Sequence, residues 1–275
     1  MSNADGAQDG LRLAREAEPD DQGWFSGGAR YWLDIYQSAG LDAEIYRRRL
    51  TRSIAWIDQL GLPDGYAALD AGCGAGDLSI ALADRGATVT ATDLSTAMTG
   101  ITHDRLSATS APGWVLHADA HHLPFPDGVF NLVAALGLLP WVRSPAQVVS
   151  ELARVTQAGG HVVLSFDNAH RLFRLTDPKF SPLTLPLRRL VRQGRSRPLG
   201  GNRLVTPAQA RDLVASSSLH VTRTAAIGFG PPTFLGHALG AEARIKSVDA
   251  RLQRLADSRP SLSRLGAHYL LLARR

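Results

Sequence analysis

The chain has 275 residues, 44% of them hydrophobic and 20% charged; that composition excludes wholesale disorder and allows one large core. Cys73 is the only cysteine, which excludes an intrachain disulfide and points to a reducing, cytoplasmic setting. The net charge of +5 is local: residues 168–205 hold nine Lys or Arg against one acid, Asp177, so that segment is +8 and the rest is −3.

The first 21 residues carry six acids and no apolar core, so they read as a flexible tail and not as a signal peptide. No run reaches the roughly 18 apolar residues of a membrane helix. Aromatic residues then cluster before the first strand: Trp24, Phe25, Tyr31, Trp32, Tyr36 and Tyr46. Leu41–Leu60 has the period of a helix, with Ile45, Ile54, Ile57 and Leu60 on one face and Arg47, Arg48 and Arg49 mostly off it. Gly61 and Pro63 stop it.

From there strands and helices alternate. Tyr66–Asp70 predicts a buried strand, Gly72–Gly76 a tight loop and Asp77–Arg85 a helix. Ala87–Thr92 is strand-like, Ser95–Ser107 helical, and Trp114–Ala118 and Val129–Leu136 are strands. Ser144-Pro-Ala-Gln147 and Thr206-Pro-Ala-Gln209 both look like helix starts with a capping box. Gly159-Gly160 marks a linker before the strand His161–Phe166. The last elements are a strand His220–Ile227, a helix near Ala241–Ala256 and a strand His268–Ala273. This rhythm predicts an α/β, Rossmann-like fold: seven strands, mostly parallel, helices on both faces, a helical lid at the amino end and an insertion after the fifth strand. One domain over 22–275 is expected, with its core at about 41–168, an insertion or lid at about 169–205 and a final part at 206–275.

Ligands of open α/β sheets bind beyond the carboxyl ends of the strands. The first strand ends in LDAGCGAG, where glycines let the backbone turn tightly and a helix start offers N–H groups to an anion. The spacing is GxGxG, and Asp77 occupies the third glycine position of the dinucleotide fingerprint, which disfavours NAD. Asp93 ends the next strand, 21 residues after Gly72, where a carboxylate accepts from ribose hydroxyls. Asp119 ends the third strand, where it can accept from an adenine amino group. Cys73 reads as a small loop residue rather than a nucleophile.

LDAGCGAG, TDLS, DAHHLPFPDGVFNLVAAL and ELARVTQAGGHVVLS together resemble the class I S-adenosylmethionine (SAM)-dependent methyltransferases of the ubiquinone-biosynthesis type, over about residues 45–168. The resemblance implies SAM as cofactor and S-adenosylhomocysteine as product. It implies that Asp70, Gly72, Gly74 and Gly76, with Cys73 between them, shape the methionine side. Asp93 would bind ribose, Leu94 would pack near adenine, Asp119 with Ala120 would read the adenine, and Leu136 would line the sulfonium site. Trp141 stands where many relatives have a histidine, which removes a base there and suggests an aromatic or apolar acceptor surface.

The amino-terminal aromatics read either as a lid or as core packing. As a lid, Tyr31 is the cofactor-side contact, and Trp24 and Tyr36 join Trp141 and His237 around the acceptor. His170, after the fifth strand, is the candidate base; His121 and His122 form no metal-ligand spacing, and no metal is expected. The basic segment reads as a solvated lid face, as an attractor for an anionic acceptor, or as a surface for nucleic acid or membrane, although no nucleic-acid module is present. The function expected is methyl transfer to a small molecule, a secondary metabolite or a quinone- or lipid-like compound. The alternatives are a cyclisation or rearrangement without methylation, and a nucleic-acid or protein methyltransferase.

Overall fold

The computed structural model describes residues 29–109, 112–179, 181, 203–235 and 237–275. Helix α1 (Ala29–Ile35) leads into α2 (Leu41–Ile57); then come β1 (Ala67–Ala71), α3 (Asp77–Ala83), β2 (Thr88–Asp93), α4 (Thr96–Ser107), β3 (Gly113–His117) and β4 (Phe130–Ala135). The second half holds α5 (Pro145–Val155), β5 (Thr156–Asn168), α6 (Leu172–Thr176), β6 (Leu204–Val205), α7 (Pro207–Ala215) and β7 (His220–Ile227). A small hairpin, β8 (Thr233–Phe234) and β9 (His237–Ala238), precedes α8 (Glu242–Ser258) and β10 (His268–Arg274). The tail over 1–21, Trp24 and most of the basic segment lie outside the described residues, and of Tyr31 only the backbone is described.

The main sheet runs β3-β2-β1-β4-β5-β10-β7, with β6 beside β5. Strands β1 to β5 pair in parallel, whereas β10 is antiparallel to both β5 and β7. The strand order reverses direction between β1 and β4, so the ligand crevice of such a sheet opens over that junction. The seven expected strands are all present. The eighth, two-residue β6, pairs with Asp167 and Asn168, beyond the point where β4 stops at Leu164 of β5.

Strands buried on both faces read as continuous apolar runs. β10 does this: Tyr269, Leu271 and Ala273 pack with α5 and α7 residues such as Leu152 and Val214, while Leu270 and Leu272 face α2 and α3 residues such as Ile54 and Leu82. One expected loop is instead strand. β5 begins at Thr156 and carries Gly159 and Gly160 inside it, with a register irregularity opposite Phe130 and Leu132. A Cβ at Gly160 would come within 3.0 Å of the Asn131 and Gln157 carbonyl oxygens, so glycine fits this crowded bulge.

The two cap signals part company. Thr206 and Gln209 form the full reciprocal box. Ser144 caps α5, but the Gln147 amide instead donates to the His121 carbonyl oxygen. Helix α2 also departs from the expected pattern, because Arg49 sits on the buried face, 5% exposed, one turn from Ile45. The helix is held in place from the far end of the chain. Asp249 of α8, fully buried, accepts from Arg48 (2.7 Å) and from the backbone N–H groups of Phe229 (2.6 Å) and Gly230 (3.2 Å).

Candidate active site

A cavity opens at the carboxyl ends of β1 to β5, with roughly 1330 Å³ of empty space when its mouth is included. Asp70, Gly72, Cys73, Gly74, Asp93, Leu94, Asp119, Ala120 and Leu136 all line it. So do Tyr36 and Trp141, and Trp32 and Tyr46 of the same aromatic cluster, together with Arg49, Asp167 and His268, to which the sequence pattern assigns no site role.

The loop after β1 is shaped from within. Gly72 has φ +69°, and a Cβ there would come within 2.8 Å of the Leu138 side chain. Its N–H and that of Cys73 bond the Thr92 carbonyl oxygen, and the Gly74 N–H donates to Asp93 Oδ2 (2.9 Å). The expected anion cradle is therefore largely committed to the loop itself. The walls point the other way, with Asp70, Asp77, Asp93, Asp119 and Asp167 against one Lys or Arg, Arg49, among the described lining residues. Gly76 caps α3 in a left-handed conformation and faces Thr102, outside the cavity lining.

Burial sets the electrostatics of this wall. Asp70, 2% exposed, has its pKa pushed up to about 7 by desolvation, although it accepts from the Ser79 hydroxyl (2.7 Å) and backbone N–H. Desolvation also raises Asp93, against the Ser95 and Gly74 N–H groups that donate to its two oxygens. For Asp119 burial pushes upward too, but the His121 backbone and ring donors outweigh it and hold the carboxyl below the ordinary range. The Cys73 thiol is buried, pushed well up by desolvation and by Asp70 and Asp93, so it is a loop residue and no nucleophile.

Arg49 forms the opposite wall. Its guanidinium lies 4.8 Å from the Tyr46 ring centroid and donates to the Tyr36 hydroxyl (3.3 Å), while Nε is buried without a partner. Gly137 lies against it with φ +87°; a Cβ there would sit 2.9 Å from Arg49 Nη1. Gly137→Ala is therefore expected to destabilise the fold by about 1–3 kcal/mol through a left-handed alanine and to displace the guanidinium. Thermal unfolding and ligand titration together check this, and a variant matching the wild type in both would refute the contact.

Next to Arg49, His268 Nδ1 and Asp167 Oδ1 are 2.9 Å apart, a cross-strand pair of β10 and β5. Burial pushes the Asp167 carboxyl up, but His268, Arg49 and Arg171 outweigh it and hold it below the usual range. The sequence pattern does not give this pair, because it depends on the antiparallel direction of β10, which sets His268 opposite Asp167. His121, in contrast, is buried and structural, with Nδ1 on Asp119 (2.6 Å) and Nε2 accepting from the Ser144 N–H (3.2 Å). His170 is exposed beyond β5 and His237 is exposed on the small hairpin; neither lines the cavity. Among the described residues no cluster of metal-ligating side chains occurs, and no helix is long and apolar enough to cross a membrane.

A family model described as a methyltransferase domain matches residues 69–164. A ubiquinone biosynthesis O-methyltransferase of Burkholderia multivorans is 30% identical over 220 residues, covering 78% of this chain and 89% of its own. Two solved structures share the fold. Magnesium protoporphyrin IX methyltransferase from Synechocystis PCC 6803, with bound SAH, has a TM-score of 0.58 at 20% identity and covers 90% of this chain and 94% of its own. The (4+2)-cyclase SpnF has a TM-score of 0.54 at 21% identity, with 83% and 80% covered. The acidic cavity over the strand ends and the long match to a relative at this identity agree, and the chain belongs to the family of SAM-dependent methyltransferases.

Proposed function

We propose that the protein methylates a small aromatic or quinone-like molecule in this cavity. The observation that carries the reading is the division of the cavity into two unlike halves. Over β1, β2 and β3 lie the carboxylates Asp70, Asp93 and Asp119 with the apolar Leu94 and Met98; over β4, β5 and β10 lie the aromatic Tyr36, Tyr46 and Trp141 with Arg49 and the Asp167–His268 pair.

The first half suits SAM. Buried acids whose charge is opposed by desolvation gain a partner when a cation arrives. When bound, SAM supplies an activated methyl group on a sulfonium. Asp93 would accept from ribose hydroxyls, Asp119 beside Ala120 would face the adenine edge, and Leu94 would pack on the base. Asp70 and the Gly72–Gly74 turn would enclose the methionine side, with Leu136 toward the sulfonium and Arg49, the one Lys or Arg among the described lining residues, available to a carboxylate.

The second half suits an acceptor with a flat apolar face, because tyrosine and tryptophan bury area at low conformational cost. Holding it in line with the methyl group and excluding water are the main demands of a displacement of this kind. The strands β6, β7 and β10 complete the same sheet, which supports reading the described residues from 29 onward as one unit.

The test is incubation with methyl-labelled SAM and a panel of phenols, quinols and fatty acids. Label in an extracted aromatic product, with stoichiometric S-adenosylhomocysteine, is the expected result. Turnover of an acceptor without S-adenosylhomocysteine would instead support a cyclisation or rearrangement, and label confined to nucleic acid or protein would overturn the small-molecule reading.

A pH effect follows from Asp70. A cation binds the ionised carboxyl, so binding below about pH 7 must displace the proton that burial retains on Asp70. SAM affinity is expected to fall as pH drops from about 8 to 6, by up to tenfold per unit below the pKa, with proton release visible in buffers of different ionisation enthalpy. Asp70→Asn should remove that release. If the variant releases protons as the wild type does, another group is responsible.

A further inference from the structure

We infer that His268, oriented by Asp167, is the general base that takes the proton from an acceptor hydroxyl; the inference rests on the methyltransferase reading of the same cavity. Three observations carry it. Both side chains line the cavity, on the half away from Asp93 and Asp119. They are 14% and 17% exposed, so they are shielded but open to a ligand. The hydrogen bonding of the ring is one-sided: Nδ1 lies 2.9 Å from Asp167 Oδ1, and Nε2 has no hydrogen-bond partner among the described residues.

The chemistry follows from that asymmetry. An ionised carboxylate only accepts, so the bond to Asp167 requires a hydrogen on Nδ1 and leaves the lone pair on Nε2. Asp167 is held in its ionised form by His268, Arg49 and Arg171. The same logic orients the histidine of a serine hydrolase triad, where the carboxylate fixes the tautomer and steadies the imidazolium. The groups facing the pair are Tyr46 and Arg49 from α2, Tyr36 after α1 and Arg171 after β5; the Tyr46 ring centroid is 5.8 Å from that of His268.

In the transfer step His268 Nε2 takes the hydroxyl proton as an oxygen lone pair forms the bond to the methyl carbon. The carbon–sulfur bond breaks with its electron pair left on sulfur, giving S-adenosylhomocysteine and the methyl ether. The imidazolium, paired with Asp167, then gives its proton to water. An acceptor attacked at carbon would have no hydroxyl proton for this pair to take, so the pair selects for an acidic oxygen.

The probe is 4-nitrocatechol, whose visible absorbance reports its ionisation, added to the protein saturated with S-adenosylhomocysteine near pH 6. The bound, ionised fraction is expected to fall about tenfold or more in His268→Gln and partway in Asp167→Asn. S-adenosylhomocysteine affinity should stay within about threefold in both. With an acceptor that is turned over, kcat should fall about 100-fold or more near neutral pH, as for loss of a general base, and the loss should shrink as pH rises and the acceptor ionises by itself. A purely structural pair would lower kcat equally at every pH. No ionised probe on the wild type, or equal amounts on wild type and His268→Gln, overturns the assignment. Failure of S-adenosylhomocysteine to bind the wild type would instead strike the methyltransferase reading itself.

Discussion

Asp93→Ala is expected to weaken SAM binding by about 100-fold or more while leaving the protein folded. Asp93 ends β2, and its two oxygens accept from Gly74 N–H and Ser95 N–H, each at 2.9 Å. The carboxylate thus joins the loop after β1 to the start of α4 and presents its remaining acceptor capacity to the cavity. Removing it takes away the acceptor of the Gly74 N–H and deletes the group proposed for the ribose. A hydrogen bond to a charged group contributes about 1.5–3 kcal/mol, and each 1.4 kcal/mol is a factor of ten in affinity, so loss of the bonds from the two ribose hydroxyls gives about 10² to 10⁴. Burial already opposes the Asp93 charge, which offsets part of the cost of leaving the Gly74 and Ser95 N–H groups without their acceptor. Calorimetric titration checks the affinity and circular dichroism the fold. An Asp93→Ala variant that binds within threefold of the wild type would remove Asp93 from the cofactor site.

Asp249→Ala should produce the largest loss of stability, about 3–5 kcal/mol. A buried donor left without its acceptor costs about 1–3 kcal/mol, and loss of a buried charged partner adds to that. Here the deletion leaves the backbone N–H groups of Phe229 and Gly230 without their acceptor and reduces Arg48 to its one other carboxylate partner, Glu44. For a chain of this size that corresponds to a fall in Tm of roughly 10 °C. Asp249→Asn keeps an acceptor for the N–H groups and should lose less than half as much. The change is far from the cavity in sequence, but α2 carries Tyr46 and Arg49 to its wall. Acceptor KM should therefore rise in Asp249→Asn more than SAM affinity falls. A Tm within 2 °C of the wild type in Asp249→Ala would show that the pair does not anchor α2.

The two halves of the cavity differ in how far the amino-acid sequence reveals them. Gly72, Asp93 and Asp119 sit at fixed offsets from strand ends, and the parallel order of β1 to β3 brings such positions to one edge. Local pattern therefore suffices for that half. The other half depends on where distant elements land. Arg49 sits one turn after Ile45, a spacing that puts it on the buried face, yet a charged residue there reads as solvent-facing until Tyr36, Tyr46 and Gly137 are seen to enclose it. His268 is separated from Asp167 by 101 positions, and only the antiparallel direction of β10 joins them. His170 follows β5 directly and looks better placed on the linear chain, but the backbone turns at Asn168, whose side chain accepts from the His170 N–H, and leaves the ring exposed.

Similar reasoning explains the cap at Ser144. A glutamine three residues after a serine can reach back to the backbone, and at Thr206 it does. At Ser144 the nearby His121 carbonyl oxygen and His122 ring take the Gln147 amide instead. The competition is tertiary and has no trace in the four residues themselves.

The decisive measurement is a calorimetric titration of the wild-type protein with SAM and with S-adenosylhomocysteine. One molecule of either should bind per chain, each should raise Tm, and the two should compete. A folded protein that gives no heat and no thermal shift with either ligand would contradict the reading of the acidic cavity as a cofactor site.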